Sequence, residues 1–211
     1  PSTPQQRTVY LDPPAMPPTL FNAIVAPRPI GWISSISPSG EANLAPFSYF
    51  NGISSRPPMV MFACNRAPDR ASKDTLANLR ANGEFVFNFV SRALGAAMNL
   101  SSAPLPHGGD EFAFAGLARA PSRVVAPPRV AESPASLECR VLRIVDLDPD
   151  ETGRTVSSVV IGRVVGVHLR ADLVDADGGF DTVAADPIVR MGGTTYGALG
   201  DVFQMARPDY P

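Results

Sequence analysis

The stretch from Pro27 to Asn65, PRPIGWISSISPSGEANLAPFSYFNGISSRPPMVMFACN, decides the fold. Ile30 to Ser37 reads as a strand. Pro38-Ser39-Gly40 signals a turn, and Glu41 to Phe47 resumes extended structure, so the two form a hairpin. Pro57-Pro58 then leads into Met59 to Cys64, a continuous apolar run of the kind that suits a strand buried on both faces. Between these pieces, Ala45 to Asn51 mixes aromatic, hydroxyl and amide groups. A flat heteroaromatic ligand needs such a surface, with a face to stack on and polar groups at its rim. The same residues also make an ordinary hairpin with core aromatics.

Working outward, Ser72 is placed as the N-cap of a helix that runs to a stop at Asn82-Gly83. Arg66, Arg70 and Lys73 lie beside Ser72 and Thr75 in the turn that opens it. Helix N-termini leave amides unpaired and carry partial positive charge, so such a turn holds phosphate. It equally describes a well-capped surface helix. Glu84 to Val90 alternates toward β structure, and Arg92 to Leu100 reads as a short helix. Leu137 to Leu147 alternates and then turns apolar. Val156 to Leu169 is a long β-branched stretch, with Gly162 and Gly166 as bulge or bend sites. The expected organisation is an extended arm over residues 1–20, one domain over 21–200 and a tail over 201–211. Many short strands with two or three helices point to a single β-barrel-like domain.

Composition narrows the function classes. A chain of 211 residues and 22.3 kDa would bury about 70% of its extended surface, enough for a true core. The 23 prolines are about twice the usual share and argue against a helical bundle. A net charge of −2 offers no general field for nucleic acid or anionic lipid. Cys64 and Cys139 make no CxxC pair, and His107 and His168 have no HExxH context, so no metal site is expected. No leader or spanning apolar run is read, so the chain is taken as cytoplasmic, without membrane or nucleic-acid partners. No GxGxxG after a strand, P-loop or GxSxG elbow occurs, so an enzyme built on this chain would leave the hard chemistry to a cofactor.

Beyond these physical features, the ordered motifs resemble the flavin reductase-like family, which has an FMN-binding split barrel. They are PRPIGW-(I/V)-S, N-x-A-P-(F/Y)-S-(Y/F)-F, S-x-x-P-P and S-K-D-T, followed by Gly83 to Asn88, Pro106 to Leu117, Glu132-Ser133-Pro134 with Leu137-Glu138-Cys139, Gly162 to His168, and Val189-Arg190 with Gly192-Gly193 and Tyr196. The family is similar to flavoredoxins and to reductase components of two-component monooxygenases. The resemblance implies a mainly β, Greek-key split barrel with a few short helices, a homodimer, and FMN, or FAD in its place, at the dimer interface. It implies flavin contacts at Asn43 and Tyr49, and a ring-lining backbone at Phe47, Ser48 and Phe50. Arg66, Ser72, Lys73 and Thr75 match the phosphate end, Trp32 matches a ring-side or supporting position, and Cys64 matches a small buried residue near the flavin. The function so implied is an NAD(P)H:flavin reductase, with the nicotinamide as a transient donor and a partner monooxygenase as a recipient of reduced flavin. A flavoredoxin-like electron carrier and a non-catalytic module for a planar ligand are the alternatives.

Overall fold

The computed structural model describes residues 8–65, 74–149, 153 and 156–208. The hairpin appears as β2 (Gly31–Ile36) and β3 (Ala42–Phe47), after a two-residue strand β1 (Arg28–Pro29). β4 (Phe50–Ser55) and β5 (Pro58–Asn65) form a second hairpin. β6 (Glu84–Asn88), β7 (Arg119–Ala120), β8 (Arg129–Val130), β9 (Ala135–Asp146), β10 (Ser157–Leu169), β11 (Ile188–Arg190) and β12 (Tyr196–Ala198) complete the strands. The short helices are α1 (Pro18–Ile24), α2 (Asp74–Asn82), α3 (Gly95–Leu100) and the single turn α4 (Glu111–Phe114). None of the described helices is long and apolar enough to cross a membrane.

Seven strands form one antiparallel sheet in the order β3-β2-β6-β9-β10-β5-β4. The hydrogen-bond ladder does not close, so β3 and β4 are its two edges. The sheet nevertheless curls back on itself. Phe47, ending β3, packs on Phe62 of β5 with ring centroids 4.9 Å apart. The Ala63 N–H, also on β5, donates to the Tyr49 carbonyl at 2.8 Å. The result is a mainly β, Greek-key barrel that stays split between β3 and β5. β1, β11 and β12 make a separate small sheet against it.

Two bulges give β10 its curvature. Its register against β9 shifts between Ile161 and Gly162 and again between Val164 and Gly166. Gly162 is required by packing, because a Cβ there would fall 2.4 Å from Cζ of Phe85.

Apolar side chains divide into two clusters. Ile33, Phe47, Phe50, Phe62, Phe85 and Val160 fill the barrel, and Leu76 and Leu79 of α2 stopper one end. On the other face of β2, Trp32 packs with Leu44, Met98, Phe112 and Val130. This arrangement corrects the sequence reading of β5. Val60, Phe62 and Cys64 are buried while Met59, Met61 and Ala63 are partly open, so β5 alternates. The strand buried on both faces is β2, whose Ser34 and Ser35 are as enclosed as Trp32 and Ile33. Polar residues are tolerated there because they are bonded. The Ser34 hydroxyl donates to the Pro128 carbonyl at 2.5 Å, and Ser35 accepts from Nδ2 of Asn78 at 3.1 Å. The proline-rich opening is not uniformly extended either, since Pro13–Ala15 forms a 3-10 turn and α1 begins at Pro18.

A buried carboxylate fixes the loop beyond β7. Glu138 on β9 is fully enclosed. It accepts the backbone N–H groups of Arg123 at 2.8 Å, Val124 at 2.6 Å and Val125 at 2.9 Å, and it meets Nε2 of His168. Burial alone would raise its pKa, but these donors outweigh burial and hold the carboxyl near 2, below its ordinary 4.5. A depressed carboxyl contributes stability that is fully present above pH 4.5 and is lost as pH falls toward 2. Glu138→Gln is therefore expected to cost about 2–3 kcal/mol at pH 7. Urea unfolding of both proteins should show that gap shrinking from pH 5 to pH 2; a gap independent of pH would contradict the assignment.

Candidate functional site

The start of β3 and the start of α2 meet through side-chain hydrogen bonds. The Thr75 hydroxyl, 1% exposed, donates to Oδ1 of Asn43 at 2.7 Å. Ser35 reaches the same oxygen at 3.4 Å, and Asn78 donates to Ser35. Glu111 of α4 completes the group from the outside. Its Oε2 accepts the Leu44 N–H at 3.1 Å, and its carboxylate also bonds the Asn43 side chain. Burial pushes the Glu111 carboxyl above its ordinary value, the bonds to Leu44 and Asn43 oppose the rise, and the charge of Asp74 adds to it. Asp74 meets Nδ1 of His107 at 2.8 Å.

The residues named from sequence have distinct placements. Asn43 and Thr75 come together, and the Asn43 amide is occupied by protein partners. Phe47 and Phe50 turn their rings into the barrel, where Phe50 stacks on Phe87 at 4.7 Å, so only their main chain faces outward. Tyr49 donates its hydroxyl to Oδ1 of Asn22 at 2.7 Å, tying the corner after β3 to α1. Trp32 is fully buried, donates its indole N–H to Ser101 at 2.9 Å, and stands opposite Pro46 in the β2–β3 register. It therefore supports the ribbon from behind. Ser48 lines an open cleft. Arg66, Ser72 and Lys73 lie outside the described residues.

The cleft has a volume of about 780 Å³. Pro46 and Ser48 form one side, α3 supplies Gly95, Met98 and Asn99, and the small sheet supplies Ile188, Arg190 and Tyr196. Edge position explains why β3 can present main chain here. Its outward Leu44 N–H goes to Glu111, and by antiparallel alternation Pro46 points the same way without an N–H. Sequence reading reached Ser48, and Arg190 and Tyr196 as part of a motif, but missed the apolar part of this wall, because Ile30, Met98 and Ile188 are single apolar residues in remote segments. Glu111 did carry a signal, as an acid opening a helical turn within GGDEF.

Both cysteines are buried and free. Burial pushes the Cys139 thiol up to about 12, helped by the charge of Glu138, so it stays protonated and unreactive. Cys64 sits in the barrel cluster beside Phe62.

The fold is that of a split barrel whose edge ribbon meets a helix start and also borders an open cleft. Residues 25–184 match the flavin reductase like domain, and the chain belongs to that family. It is 40% identical over 189 residues to an uncharacterized protein of Halalkalibacterium halodurans, covering 90% of each chain. Its fold is similar to nitrilotriacetate monooxygenase component B from Bacillus cereus, with a TM-score of 0.89 and 29% identity over 95% of this chain and 100% of that one. It is also similar to 2-nitrobenzoate 2-nitroreductase from Pseudomonas fluorescens, with a TM-score of 0.81 and 26% identity over 95% and 96% of the two chains.

Thr75→Val, which removes the hydroxyl and keeps the shape, is expected to cost about 1–3 kcal/mol, because it leaves Asn43 short of a buried partner. Thermal unfolding reads the loss, and a change within a few tenths would show that the Thr75–Asn43 bond holds nothing together.

Proposed function

We propose that this protein binds FMN and acts as a flavin reductase, drawing electrons from NADH or NADPH. The observation that carries the reading is the Thr75–Asn43 bond, which brings the 43–50 ribbon and the beginning of α2 to one place in a chain of the flavin reductase-like family. The residues present fit a flat ring with an anionic tail. An edge strand supplies main-chain groups without a ladder partner, Ser48 supplies a hydroxyl, and α2 follows in sequence on residues 66–73, whose cations and Ser72 hydroxyl suit a phosphate.

Bound flavin would supply the redox chemistry, taking two electrons and a proton from a reduced nicotinamide, so no protein nucleophile is required. The chain's own residues bind and orient. The β3 edge offers hydrogen-bonding atoms fixed in place by Glu111 and Thr75, and preorganised groups of this kind cost little to align on binding. Pro46, backed by buried Trp32, gives that edge a rigid apolar wall. The likeness to component B of a monooxygenase supports a role in passing reduced flavin to a partner monooxygenase.

The same reading includes a homodimer. Val9 and Tyr10 near one end and Val202, Phe203 and Met205 near the other are open apolar side chains that a second copy would cover.

Titration with FMN, followed through the visible flavin spectrum, should show binding at micromolar concentration, and no binding there would refute the cofactor assignment. Lys73→Ala should weaken FMN and spare riboflavin; an equal loss for both would remove Lys73 from phosphate binding. Sedimentation equilibrium should give twice the chain mass, with Phe203→Asp shifting the population toward monomer. A monomeric wild type at micromolar concentration would exclude the dimer.

A further inference from the structure

A second pocket, of about 430 Å³, opens where the end of β10 passes the turn between β8 and β9. None of its lining residues lines the cleft beside β3. Three basic side chains reach it from separate positions: Arg129 of β8, His168 near the end of β10, and Arg170 just beyond that strand. No acid lines it among the described residues. Acids close by in sequence are engaged elsewhere or with one donor only. Glu132 accepts the Ala118 N–H at 3.0 Å, and Asp172 accepts from Nε of Arg170 at 2.7 Å.

Each basic group is held before any ligand arrives. Arg129 stands opposite Ala120 in the β7–β8 pairing, and its Nε donates to the Pro121 carbonyl at 3.2 Å. The main-chain N–H of Arg170 donates to the Pro134 carbonyl at 2.9 Å. Among the described residues, the Nη groups of both arginines have no partner, so two guanidinium ends remain to donate. His168 stands opposite Ser136 on β9 and meets Glu138 through Nε2. Glu138 is ionised and only accepts, so Nε2 carries the hydrogen. The neutral ring then presents Nδ1 as an acceptor, and Nδ1 has no partner among the described residues. Glu138 cannot neutralise the arginines, because three consecutive amides and His168 already occupy it.

Two guanidinium ends call for an oxyanion. An acceptor fixed beside them calls for a donor on the same ligand, which a bare oxyanion lacks. At about 30 Å³ for each water in the liquid, the pocket has room for a small molecule beyond its anionic group. We propose that this pocket is a second ligand site, for a small hydroxylated oxyanion. Arg129 and Arg170 hold the charged group, and Nδ1 of His168 accepts from the ligand's hydroxyl. Two sources share this chemistry, a polyol phosphate and a hydroxy acid. The site is independent of the flavin reading.

Calorimetry at pH 8 on the full chain, with and without FMN, tests it with glycerol 3-phosphate against propyl phosphate and with lactate against propionate. At least one hydroxylated anion should bind about fivefold more tightly than its counterpart lacking the hydroxyl, and which one does so identifies the source. Arg129→Met should weaken that anion by about tenfold or more, and Arg129→Lys should fall between. Thermal unfolding without ligand should be unchanged in both variants, which reports that they fold. His168→Leu should level the hydroxylated anion with its counterpart. No binding of any of the four anions, equal binding within both pairs, or an unchanged affinity in Arg129→Met overturns the proposal. So does displacement of the anion by FMN, because the ligand would then occupy the flavin's own phosphate site. Binding that needs Arg129 in a chain that takes no FMN would uphold this site while the flavin reading fails.

Discussion

The hydrogen bond between Thr75 and Asn43 is the constraint on which the candidate site depends. β3 has a ladder partner on one side only, and an edge strand with a free flank is able to twist or fray. Three polar contacts prevent this from three directions. Thr75 of α2 holds the Asn43 carboxamide, Ser35 holds it from β2, and Glu111 of α4 takes the Leu44 N–H. The Leu44 contact is buried and the two to Asn43 are part-buried, so breaking one weakens a polar group with little access to water, which costs more than the bond contributes when made. The edge therefore stays where a ligand can meet it, while α2 is anchored to the strand it caps.

This polar clasp coexists with an unusually polar barrel wall. β2 passes between two apolar clusters and still carries two serines. The serines hold a neighbouring loop and helix in position, and Trp32 and Ile33 on the same strand supply the apolar contact on either face. One strand thus fixes both the wall behind the ribbon and the helix beyond it. Glu138 does similar work on β9, gathering three consecutive amides of a loop that has no regular structure to satisfy them.

Electrostatics divides the molecule in a way that net charge conceals. The overall balance is −2. Five described arginines outside the small sheet meet acids, as Arg80 meets Asp146 and Arg119 meets Asp110. The β1–β11 pair is different, with two cations opposite each other and none of the described acids beside them. A local surplus of this kind matters at short range, where water is displaced, and is invisible in a sum over the chain.

Much of the architecture was legible in local pattern. The β2–β3 hairpin followed from Pro38-Ser39-Gly40, the bulges of β10 from Gly162 and Gly166, and the end of α2 from Asn82-Gly83. The order of the motifs also revealed the family. Chain neighbours specify turns, periodicity and caps, so these features needed no knowledge of the remaining fold. Packing decided the rest. β5 looked enclosed because its residues are all apolar, yet which face is covered depends on strands far away in sequence. β11 and β12 were hidden in a loop-rich tail, since three-residue strands show no periodicity of their own and β11 is held by β1, far away in sequence. The cleft draws single residues from several remote segments, and the opposition of Arg28 and Arg190 spans 162 positions of chain. Local sequence determines what a segment can form, but burial and charge neutralisation are properties of the whole enclosure, so only the tertiary structure decided them.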